Sequence, residues 1–180
     1  IIYIVDSGNN RIQKFTKEGI FLSAFGEKGE TEGQFNLPWG ITIDKQDNVY
    51  VADWKNHRVQ KFSSNGIVLA TFGTFGKGVG QLNHPTDVAV DPEGDIYVTD
   101  WANHRVQVFS PTGDPIAVLI GDAQELSKWG RTAVEANSDM LKARRRVKSL
   151  EPEWRFYYPT AVAFDQANSR IVVADTQRAR

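Results

Sequence analysis

The segment DWKNHRVQKF, Asp53 to Phe62, returns as DWANHRVQVF, Asp100 to Phe109, and this shift of 47 residues constrains the fold more than any other property of the chain. An earlier copy, DSGNNRIQKF, runs from Asp6 to Phe15, and DTQRAR, Asp175 to Arg180, begins a fourth. Tyr3, Tyr50 and Tyr97 mark one place in the unit, and Val172 takes it in the last copy. A period of this size, filled with short β-type segments, belongs to a propeller or a solenoid.

Each full unit contains four such segments. In the second copy they are Gly40 to Asp44, Asn48 to Asp53, Arg58 to Phe62 and Ile67 to Phe72. Apolar residues alternate with polar ones, β-branched and aromatic types dominate, and DKQDN and SSNG supply turns, so the unit reads as four antiparallel strands. Four strands per unit make a propeller blade, and the regular copies lack the helix or leucine spacing of a solenoid repeat. The expected fold is all-β: a partial blade over 1–26, blades over 27–73 and 74–121, an insertion over 122–155 and a partial blade over 156–180. About 3.8 repeats leave both ends inside a blade. An open arc exposes blade faces that a closed ring covers, so the remaining blades are expected from the same longer chain, or alternatively from a second copy.

With strand a innermost, the b–c and d–a connections emerge on one face of the ring and short polar hairpins on the other. The first face carries DWKNHR, DWANHR and the long connectors Glu27 to Asn36 and Thr74 to His84, and long loops on a rigid scaffold are where binding residues concentrate. Asp6, Asp53, Asp100 and Asp175 end strand b, while Arg11, Arg58 and Arg105 open strand c; acid and base recurring in every blade are read as scaffold. The variable positions between them, Trp54, Lys55, His57, Trp101 and His104, are candidate binding residues. The glycines of GTFGKGVGQ lack a following GK[ST] and helix, which removes a phosphate-loop reading.

The segments PWGITIDKQDN with VYVADWKNHRVQKF, and PTDVAVDPEG with IYVTDWANHRVQVF, resemble NHL repeats, and the likeness covers the chain apart from the insertion. The resemblance implies a β-propeller, commonly of six blades. It also implies two minority functions. In the NHL-like lyase that cleaves peptidyl-hydroxyglycine, histidines at a place similar to His57 and His104 hold a catalytic zinc. Here Asn10 and Ala179 stand at the equivalent outer positions, two ligands where about three are needed, so no cofactor is expected and zinc is the alternative. Animal NHL propellers can bind RNA through a basic face, which makes nucleic acid a second alternative.

The spacing from Gly121 to Phe156 exceeds that from Gly26 to Phe35 by 26 residues. Capping-box spacings at Asp122 and Thr132, and a stripe of Met140, Ala143, Val147 and Leu150, predict a short helical insertion. Its other side carries KARRRVK, so Trp129, Arg144, Arg145 and Arg146 join the candidate binding residues as an added arm. A net charge of -1 gives no global field for nucleic acid. With no catalytic set discernible, the expected function is recognition of a protein or peptide. The longest apolar runs are strand-sized, against about 20 residues for a bilayer span, so no membrane insertion is expected. The absence of cysteine excludes a disulfide framework and leaves the compartment open.

Overall fold

A computed structural model describes residues 1–121, 132, 135–139, 146 and 155–175. Among these residues, thirteen strands fall into successive antiparallel sheets. Blade 1 contains β1 (Ile2–Asp6), β2 (Arg11–Phe15) and β3 (Phe21–Phe25). Blade 2 is β4 (Pro38–Ile43), β5 (Val49–Asp53), β6 (Arg58–Phe62) and β7 (Val68–Phe72). Blade 3 repeats it with β8 (Pro85–Val90), β9 (Ile96–Asp100), β10 (Arg105–Phe109) and β11 (Pro115–Leu119), and blade 4 contributes β12 (Ala161–Asp165) and β13 (Arg170–Ala174).

Within blades 2 and 3 the strands lie in chain order, so each connects to its neighbour by a hairpin. Strand a begins at Pro38 and Pro85, two residues before the start expected for β4 from sequence. Proline is tolerated here because it opens the strand on the inner edge of the sheet, where a backbone donor is not required. The helical insertion expected over 122–155 lies almost wholly outside the described residues. Ala136 N–H donates to Thr132 O at 3.0 Å, and Trp129, Arg144 and Arg145 are not among the residues described.

Blades are joined by apolar layers. Between blades 1 and 2, Ile12, Phe35, Val49, Val51 and Phe62 are buried; between blades 2 and 3, Tyr50, Val59, Phe72, Leu82, Ile96, Val98 and Phe109 are. Ile2 and Ile4 hold the places of Val49 and Val51 yet are 42% and 47% exposed, because no blade covers that side of blade 1 here. Among the described residues no helix is long and apolar enough to cross a membrane.

The inner strands crowd each other around the axis. A Cβ on Gly40 would stand 2.4 Å from Asp87 Cα and 2.7 Å from Thr86 O, both backbone atoms of the next blade, so the strands themselves would have to separate. Gly40→Ala is therefore expected to lower stability by roughly 1–3 kcal/mol, read as a shifted denaturant midpoint at constant slope.

Candidate functional site

The face bearing the b–c and d–a connections is assembled from one device used in each blade. Asp6, Asp53 and Asp100 end strand b, and the chain then makes a single 3-10 turn before entering strand c. The turn closes on a residue in the left-handed region: Asn10, His57 or His104, with φ near 55° in all three.

The acid and the arginine across the register form a clamp. Arg58 Nε donates to Asp53 Oδ2 at 2.9 Å, and its Nη groups reach the carbonyls of Glu30, Thr31 and Gln34 in the connector from blade 1. Arg105 does the same to Asp100 at 2.6 Å and to the carbonyls of Lys77, Gly78 and Gln81. The second carboxylate oxygen receives the amide of the residue before the turn into strand a, Asn36 for Asp53 and Asn83 for Asp100. Tyr157 N–H donates likewise to Asp175, which is fully buried. Burial pushes the Asp53 carboxyl above the usual range and outweighs the opposing pull of Asn36, Asn56 and Arg58. These acids and arginines hold connectors in place.

A second contact links each blade to the next. Asn10 Oδ1 accepts Leu37 N–H at 2.8 Å, His57 Nδ1 accepts His84 N–H at 3.1 Å, and His104 Nδ1 accepts Tyr158 N–H at 3.1 Å. Leu37, His84 and Tyr158 all precede proline and all have positive φ, an unusual combination for non-glycine residues that an amide acceptor stabilises. Burial, and then the nearby His84, push the His57 imidazole below its ordinary value; burial, then Lys55, act the same way on His84.

This geometry does not suit zinc. A metal-bound histidine donates from its other ring nitrogen, whereas Nδ1 of His57 and of His104 accepts, which leaves the proton on Nε2 and no lone pair there for a metal. Among the described residues no group of three or more histidine or acidic side chains is placed to hold a metal ion.

Aromatic rings run between these latches. Trp39 stacks on Trp54 with centroids 5.2 Å apart and planes at 10°; Trp54 lies 4.4 Å from His84, His84 6.4 Å from Trp101, and Trp101 4.6 Å from Tyr158. Branches join it, with Phe75 at 4.5 Å from His57 and Tyr157 stacked on His104 at 5.0 Å. Trp39, Phe75 and Tyr157 are exposed, as is Lys55. The Trp54 indole N–H is buried with no partner among the described residues, a state that costs about 1–3 kcal/mol.

The structure thus brings Trp54, His57, Trp101 and His104 to one face, with Lys55 at its surface, and turns both histidines inward. Arg146 is exposed. Sequence reasoning missed Trp39, Phe75, His84, Tyr157 and Tyr158. The signal for two of them was the aligned pre-proline position in LPWG, HPTD and YPTA.

Comparison with known proteins agrees with this architecture. The model of the NHL repeat matches residues 35–62 and 82–109, each running from the connector through strands a, b and c of one blade. This chain carries NHL repeats. A search of curated protein sequences returned no match. Among solved structures, the NHL segment is similar to a protein of unknown function from Bacteroides thetaiotaomicron VPI-5482, with TM-score 0.62, 17% identity, 98% of this chain and 42% of that one covered. An auxiliary nutrient binding protein from the same organism gives 0.61, 12%, 99% and 43%. Virginiamycin B lyase from Staphylococcus aureus gives 0.58, 12%, 96% and 44%. The chain spans less than half the length of each, and at these identities the likeness establishes the propeller fold alone.

Proposed function

We propose that this NHL propeller segment is a binding module that recognises a protein or peptide through its b–c and d–a face. The observation that carries the reading is the unbroken aromatic line from Trp39 to Tyr158, crossing three blades on that face. Aromatic side chains give large contact area for little conformational entropy, and they dominate protein recognition. The acids beneath them are already committed to connectors, so they do not supply a general base. In this reading Trp54, Lys55 and Trp101 contribute surface, His57 and His104 shape it from below, and the insertion with Trp129, Arg144, Arg145 and Arg146 adds an arm. Further blades of the same longer chain cover Ile2 and Ile4 and close the ring.

The test is random-peptide display on the immobilised parent protein, with Trp39→Ala/Trp101→Ala and an insertion deletion as comparisons. Selected peptides should bind the parent at least about tenfold more tightly than the double variant, and the deletion should weaken capture as well. Undiminished binding by both variants, each retaining the parent's β-type circular dichroism, would overturn the assignment.

A further inference from the structure

The chemistry that the aromatic line can accept is narrow. The backbone amides along it are already paired: Asn36, Asn83 and Tyr157 with aspartates, and Leu37, His84 and Tyr158 with the latch residues. Lys55 and Ala102 N–H groups are likewise taken, by Asn36 O and Asn83 O. A ligand therefore cannot add here as a β-strand, and a phosphate finds no ring of free amides. A sugar, which needs several polar partners around each ring, is poorly served for the same reason.

What the line does offer is a succession of rings, half-buried apart from the exposed Trp39, with a buried indole donor in its midst, Trp54 Nε1–H, that no acceptor among the described residues reaches. Trp39, stacked on Trp54 and 48% exposed, is the most accessible ring of the line. The ligand matching both features has flat apolar rings and unpaired carbonyls of its own. An extended proline-rich peptide has these: its backbone forms no internal hydrogen bonds, and its pyrrolidine rings stack on aromatic side chains.

Charge gives the site a direction. The connector over blade 2 exposes Glu27, Glu30 and Glu32; at the places of Glu30 and Glu32 the connector over blade 3 carries Lys77 and Val79. We propose that the line from Trp39 to Tyr158 binds a proline-rich peptide in the polyproline II conformation, with a basic residue of the peptide over Glu30 and Glu32. This deepens the protein-binding reading and rests on it. The centroid steps, none longer than 6.4 Å, accommodate about six residues at about 3.1 Å each.

The experiment titrates the parent protein with an Arg-flanked octaproline, an uncharged octaproline, a Gly-Ser peptide with the same arginine, and oligo-dT, following the indole N–H signals by NMR. Trp54→Phe assigns the Trp54 signal. Octaproline is expected to move that signal downfield, and Trp39→Ala to weaken binding about tenfold. Glu30→Gln/Glu32→Gln should weaken the Arg-flanked peptide and leave the uncharged one unchanged. Binding of the Gly-Ser peptide or of oligo-dT as tight as that of octaproline would overturn the proposal, as would a static Trp54 signal under saturating octaproline. If display-selected peptides bind through Trp39 and Trp101 while octaproline does not, the ligand class falls and the binding module stands. If selected peptides ignore both tryptophans, the module falls as well.

Discussion

Asp53→Ala and Asp100→Ala are each expected to destabilise the protein by about 3–5 kcal/mol, the range for removing one partner of a buried ion pair. Both carboxylates are fully buried, and each organises an arginine, an asparagine, a glutamine and a backbone amide. Deleting either one strands a guanidinium that is about nine-tenths buried and frees the connector amide. Asp6→Ala provides the internal comparison, because the same Asp–Arg pair occurs at 2.9 Å with Arg11 44% exposed. Water already screens that pair, so its loss should be far smaller. Guanidinium unfolding of the three variants measures this gradient. Equal losses at all three would mean that the local pair, and not its grip on the connector, stabilises the blade. Arg58→Lys sharpens the test, since an ammonium keeps the charge but cannot span Asp53 and the carbonyls of Glu30, Thr31 and Gln34 together.

The blades were legible in the sequence because their determinants are local. Period-two alternation and turn residues place strands b and c, and the register pairing Asp53 with Arg58 follows from the tight turn between them. The acid–base pair was readable for the same reason. What Arg58 does with its other donors was not, because those carbonyls lie 24 to 28 residues upstream in a connector with no regular pattern. The histidines show the limit more sharply. Their resemblance to histidines of an NHL-like lyase implied a metal ligand, but His104 meets its amide partner 54 residues later, across the insertion. The aromatic line was partly visible as Trp54 and Trp101; Trp39 joins it only because the start of strand a lies beside the b–c turn of its own blade, and Tyr158 because the connector before β12 lies beside the b–c turn of blade 3.

His57→Ala is expected to cost about 2–4 kcal/mol, combining the loss of an acceptor for the His84 amide with the space left beside Phe75 and His84. His57→Asn should cost much less, because the protein already uses asparagine at this place: Asn10 accepts the equivalent amide at 2.8 Å from a turn of the same shape. The two variants also separate in acid. In the folded protein burial and His84 hold His57 below its ordinary value of 6.5, with Asp100 opposing more weakly, and His84 is held down by burial and Lys55. The unfolded chain therefore binds these protons first, and the stability contributed by the neutral rings is complete above about pH 6.5 and lost as the pH falls below it. Protonating Nδ1 also sets a donor against the His84 N–H, so the latch cannot survive the change. Unfolding midpoints at pH 7.5 and 5.5 should differ less for His57→Asn than for the parent, with His84 contributing to the difference that is left. An undiminished acid loss in His57→Asn would remove His57 from the latch and place the titration elsewhere.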